Sequence, residues 1–142
     1  MSYADKNMMI ARFGEVEIIA LTDRSNADVI DEAVLAAALA DTDAEIDPYL
    51  MTRYTLPIAN APKVLSSFAC DIARYRLSGA GVAETDIVRL RYKDAIKFFE
   101  NVSSGKLSLG LSTVGVAPPA QGSVRVSAPA RVFNSSSLSG FD

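Results

Sequence analysis

Residues 31–54 read DEAVLAAALADTDAEIDPYLMTRY. Leu35, Leu39, Thr42, Ile46, Tyr49 and Arg53 recur at steps of four and three, which places them on one stripe of an α-helix. Ala33, Ala36, Ala37, Ala38 and Ala40 favour the helix and let a neighbour approach closely. Asp31 suits the cap position, because a short carboxylate accepts from the unpaired N–H groups of the first turn; Glu32 suits the positive end of the helix. Pro48 is the discordant residue. It lacks an N–H and its ring clashes with the preceding turn, which predicts a kink or a break there.

The same period continues on both sides. Residues 56–62 (LPIANAP) form a connector with two prolines, and Pro62 suits the first turn of a following helix. That helix is expected over 62–78, with Leu65, Phe68, Ala69, Ile72 and Tyr75 on one face and Ser78-Gly79-Ala80-Gly81 as its stop. Another is expected over 84–103, with Val88, Tyr92, Ala95, Phe99 and Val102 inward, Ile87, Arg91 and Phe98 beside them, and Ser103-Ser104-Gly105 closing it. Towards the N-terminus, residues 4–22 predict two short helices. Gly14 separates them, since glycine accepts the positive φ of a helix stop. Met8, Met9, Ala11 and Phe13 lie on the first, and Val16, Ile19 and Ala20 on the second. Residues 22–28 are polar and turn-like.

After Gly105 the composition changes. Residues 110–142 contain 14 Ser, Gly or Pro among 33 positions, and only Arg125, Arg131 and Asp142 are charged. Such a segment cannot build its own core. Residues 123–127 (SVRVS) nevertheless alternate like a short strand, and Phe133, Leu138 and Phe141 are apolar anchors near the end. The expected architecture is therefore all-α. A bundle of about four to five helices fills residues 1–105, and 106–142 form an extended, partly β arm that docks onto partner subunits. Arg125, Arg131, Phe133, Leu138 and Phe141 are its candidate contact residues.

The chain has 142 residues, one domain's length, and is 49% hydrophobic, enough for a core without staples. It has no histidine and one cysteine, Cys70. That excludes a disulfide framework within the chain, a Cys/His zinc site and any triad that needs a histidine base. There is no apolar run long enough to span a bilayer, and the first residues do not follow the signal-peptide pattern. A protein made and kept on the cytosolic side is expected, with no membrane partner. The net charge of −3 hides a gradient. Residues 1–50 hold 11 acids and 3 bases, residues 51–105 hold 5 and 8, and residues 106–142 hold 1 and 3. One reading is solvated helix faces. The sharper one is copies stacked acid to base in a head-to-tail contact.

Candidate chemistry is sparse. Asp41, Asp43, Glu45 and Asp47 alternate, so only Asp41–Glu45 and Asp43–Asp47 share a face. Facing carboxylates can bind a cation or transfer protons, but a solvated or intersubunit acidic face is the simpler reading. Residues 23–34 have the outline of a calcium loop, yet the central glycine is missing and Val34 stands where the bidentate ligand belongs. Cys70 reads as a buried thiol, and Asp71 is expected to pair along its own helix with Arg74 or Tyr75. No cofactor and no enzymatic activity are expected. Two further classes stay open: a small helical module that binds a regulator through its arm, and a metal-assisted enzyme built on the 41–47 carboxylates.

The blocks Ile10-Ala11-Arg12-Phe13-Gly14-Glu15, Leu21-Thr22-Asp23-Arg24, Ala38-Leu39-Ala40-Asp41, Ala69-Cys70-Asp71-Ile72-Ala73-Arg74-Tyr75-Arg76-Leu77, Arg91-Tyr92-Lys93-Asp94-Ala95 and Gly105-Lys106-Leu107-Ser108-Leu109-Gly110 follow in this order. They resemble a family from Mu-like phages and prophages. The ending, Arg131-Val132-Phe133 and Ser137-Leu138-Ser139-Gly140-Phe141, is similar to arms in that family. The likeness runs from Tyr3 to about Gly110 and resumes at the tail. The family is similar to head–tail connector (neck adaptor) proteins of tailed phages. The resemblance implies a virion protein in the neck, present in the host cytoplasm during assembly. It implies a ring, commonly of twelve, under the portal protein, meeting a downstream neck or tail-terminator protein. DNA would pass through without specific binding. Asp41, Asp43, Glu45 and Asp47 would then face the lumen or a neighbouring subunit.

Overall fold

The computed structural model describes residues 2–79 and 86–113. Among these residues there are five helices and no strand. They are α1 (Lys6–Phe13), α2 (Glu15–Thr22), α3 (Glu32–Met51), α4 (Lys63–Ser78) and α5 (Ile87–Ser103). The strand-like residues 123–127 and the arm residues Arg125, Arg131, Phe133, Leu138 and Phe141 lie outside the described residues.

Local chemistry sets the boundaries. The Asp5 carboxylate caps α1 by accepting from the Met8 N–H at 2.8 Å. Gly14, at φ 90°, ends α1 and begins α2, a backbone state that a side chain would resist. Asp31 caps α3, accepting from Ala33 and Val34 at 3.0 and 3.1 Å. Asp86 caps α5 through Val88 at 2.8 Å and is itself extended, so that helix starts three residues later than its apolar period suggested. Pro48 does not break α3, which continues to Met51. The proline sits on the exposed side of the last turn, while Ile46 and Leu50 around it are fully buried. Their burial holds that turn against the one backbone bond the proline removes.

Helices α3, α4 and α5 form an up-down-up bundle. Tyr75 stacks on Tyr92 while Phe68 lies against Phe98, so α4 and α5 run antiparallel. Glu45 meets Tyr92 and Tyr49 meets Phe99, so α3 and α5 run the same way. Phe99 is fully buried at the centre, with ring centroids 6.2 Å from Tyr49, 6.3 Å from Phe68 and 5.4 Å from Phe98. The short helices α1 and α2 lie against α4, and α2 also touches α3. This cover explains why α4 buries more than its single stripe: Cys70, Asp71 and Ala73 are buried besides Leu65, Ala69 and Ile72.

Past α5 the chain turns back on the body. Gly105, at φ 80°, approaches Arg53 so closely that a Cβ there would collide with the guanidinium. The Leu109 N–H then donates to the Tyr54 hydroxyl at 3.0 Å, and Leu109 and Leu111 pack against the core.

Candidate functional site

The acidic run on α3 divides into two pairs, as its spacing predicts. Asp43 and Asp47 face the N-terminal segment. Asp43 accepts the Tyr3 N–H at 3.0 Å and Asp47 accepts the Tyr3 hydroxyl at 2.6 Å. Burial first, and then these carboxylates, push the Tyr3 phenol pKa well above its usual value. Asp41 and Glu45 face α4. Glu45 binds Arg76 through Nε at 3.0 Å and Nη2 at 2.5 Å, and its other oxygen accepts from Tyr92 at 2.7 Å. Asp41 stands 3.9 Å from Arg76 and remains largely exposed. Desolvation, then the Glu45 hydrogen bond, pushes the Tyr92 phenol up to about 12. Three of the four carboxylates are thus half-buried and hydrogen-bonded inside the chain.

The expected pair within α4 is corrected. Asp71 is buried and binds Arg12 of α1, with Nε at 3.2 Å and Nη2 at 2.8 Å. Arg74 reaches away to Glu17 of α2 at 2.5 Å, and its guanidinium lies 4.7 Å from the Phe13 ring centroid. Its Nε has no hydrogen-bond partner and is covered by this packing. Spacing within one helix pointed to a local pair. The α1–α2 cover instead brings a charge of opposite sign to each residue of α4, the Arg12 cation to Asp71 and the Glu17 carboxylate to Arg74. Nothing in the one-dimensional pattern marked Tyr3, Arg12 or Arg76 as partners, because each spans 31 residues or more.

Cys70 is buried, as its position beside Ala69 predicts, and burial pushes its thiol up to about 11. An open cleft of about 410 Å³ runs between α1 and α4 next to it, bordered by Met8, Arg12, Lys63 and Ser66. In the 23–28 turn, both Asp23 oxygens are taken by the loop itself: Ser25 at 3.0 Å and Asp28 at 2.8 Å. Backbone N–H groups, of Ala27 first, hold that carboxyl below its ordinary range. Among the described residues, no three metal-ligating side chains gather into one cluster. No described helix is long and apolar enough to cross a membrane.

Several large apolar side chains also reach the surface. Val16 is 82% exposed, Met51 63%, Ile87 56% and Leu90 45%. The comparisons then place it among phage proteins: the sequence profile of the family described as Bacteriophage Mu, Gp36 matches residues 3–128, and the chain belongs to that family. It is 40% identical over 110 residues to the Mu-like prophage FluMu protein gp36 of Haemophilus influenzae, covering 78% of this chain and 77% of that protein. It is 32% identical over 136 residues to gene product J of Escherichia phage Mu, covering 94% and 95%.

Proposed function

We propose that this protein is a structural virion component, a head–tail connector. It forms a ring of twelve copies under the portal, extends the DNA channel and joins the capsid to the next neck or tail-terminating protein. The observation that carries this reading is the reach of the match. It passes the last described residue, Thr113, and runs to residue 128 in the family profile. The alignment with the phage Mu protein covers 94% of the chain. The unit shared in the family is therefore body plus arm, and an arm shared along with the body is best explained by docking. Arg125, Arg131, Phe133, Leu138 and Phe141 are the residues we assign to it. A buried aromatic anchor such as Phe141 would dominate that contact. The channel wall should repel phosphate rather than grip it. We assign exposed Asp41 to the lumen or to a neighbouring subunit; Asp43, Glu45 and Asp47, half-buried and bonded to Tyr3, Arg76 and Tyr92, can add only their remaining exposed edges to that face.

Electron cryomicroscopy of the intact particle's neck tests the reading. The expected result is a ring of this chain directly below the portal, its arm on the portal or a neighbouring copy. Neck density fully accounted for by other chains would overturn it. Removal of residues 114–142 leaves every described contact of the body in place. The expected outcome is a folded body that no longer enters particles.

A further inference from the structure

Two tripeptides on different helices share a charged-apolar-charged pattern and are opposite in sign. On α2, Glu15-Val16-Glu17 sets an 82% exposed valine between two acids. On α5, Arg89-Leu90-Arg91 sets a 45% exposed leucine between two arginines. Adjacent residues of a helix diverge by about 100°, so each apolar side chain has one charge a quarter-turn to either side of it. The apolar centres extend by one turn, to exposed Ala20 beside Val16 and to Ile87, 56% exposed, beside Leu90. Glu17 is shared with Arg74. The contrast in sign therefore rests mainly on exposed Glu15 and exposed Arg91.

We propose that the Val16 patch of one copy docks on the Leu90 patch of the next. The proposal rests on the self-assembly part of the connector reading and names the surfaces that carry it. An apolar centre with a charged rim is the ordinary anatomy of a protein contact. Opposite rims steer the approach and set its register, whereas either patch against itself places like charges together. A two-fold contact through one patch is thereby disfavoured. The helices α2 and α5 both pack on α3 and α4 and share no substantial contact with each other. Each copy consequently offers both patches at once, which a head-to-tail chain or ring requires.

The test uses the full chain with paired cysteines, Val16→Cys and Leu90→Cys, oxidised with copper–phenanthroline at rising protein concentration. The native Cys70 is buried and does not compete. The doubly substituted chain is expected to give a disulfide ladder. An equal mixture of the two single variants is expected to stop at dimers, since each copy then carries one half of the link. Glu15→Lys and Arg91→Glu should each weaken association roughly tenfold, and together restore it. Wild-type oligomers by sedimentation without the Val16–Leu90 link would overturn the patch assignment and leave the ring standing. A link equally strong between two Val16→Cys chains would also overturn it. Monomers with no ladder at millimolar concentration would overturn the direct contact, while the connector reading would still be decided by the neck map.

Discussion

The α3–α4–α5 bundle and the α1–α2 cover pack on the same helix, α4, with different shares of apolar and charged contact. On one side α4 meets aromatic rings: Phe68 against Phe98 at 4.5 Å and Tyr75 stacked on Tyr92 at 4.2 Å. On the other, the fully buried Met9 of α1 and Ile18 of α2 join the same apolar core, and charges are added to it: Arg12 on Asp71 and Glu17 on Arg74, with Lys6 on Glu32 of α3 as a third tie. Apolar packing scales with area and has little directional demand. A buried carboxylate depends on one partner in one geometry, and loses more by being left alone than it gains by being paired. The bundle should therefore be the globally cooperative unit, and the cover the part that opens first.

The largest test of that contrast is Phe99→Ala. A truncated central phenylalanine costs about 3–5 kcal/mol, and the whole described body should unfold at lower denaturant, read by circular dichroism. Survival of α3–α5 with only a small shift would break the comparison. Asp71→Ala comes next, at about 1.5–3 kcal/mol, the scale of a hydrogen bond to a charged group. Hydrogen exchange should show α1 and α2 losing protection first. Equal loss in α5 would mean that the cover and the bundle are one cooperative unit.

Removing one cap in each region sharpens the contrast. Asp5→Ala and Asp31→Ala each delete a first-turn acceptor, worth about 1 kcal/mol. The loss at Asp31 should appear in the global melting temperature, because α3 belongs to the bundle. The loss at Asp5 should appear as local exchange in α1 alone. The smallest effect at neutral pH is that of Tyr92→Phe. Tyr92 titrates near 12 in the folded chain against an ordinary value near 10. Its folded pKa is raised, so the neutral phenol is the form the fold favours. That stability is complete below pH 10 and is lost as pH rises from 10 towards 12. Melting scans in that window should show a steeper fall for the wild type than for Tyr92→Phe.

Most of the bundle was legible from periodicity. Leu35, Ile46, Leu65, Ile72, Ala95 and Phe99 were readable as inward residues because an amphipathic helix writes its buried face at a fixed spacing, and all six are buried. Gly14 and Asp31 were legible for a similar reason: positive φ and N-capping are local properties of one residue and its neighbours. Pro48 left kink and break both open because its penalty is local; the helix continues through it, held by the burial of Ile46 and Leu50 against other helices. The family blocks also ran in readable order from Tyr3 onward, and family membership needed no coordinates.

The polar architecture was not legible. Asp71 had a cation three residues away in sequence and chose one 59 residues away. Glu45 and Asp47 lie two apart on one helix and point to different partners, Arg76 and Tyr3. Helical spacing separated the carboxylates into two pairs, because it depends only on the rise and turn of one helix. Which tyrosine or arginine came to meet each pair depended on how the helices packed. A hydrogen bond needs its partner within about 3 Å, and only the folded chain brings residues so far apart in sequence to that distance.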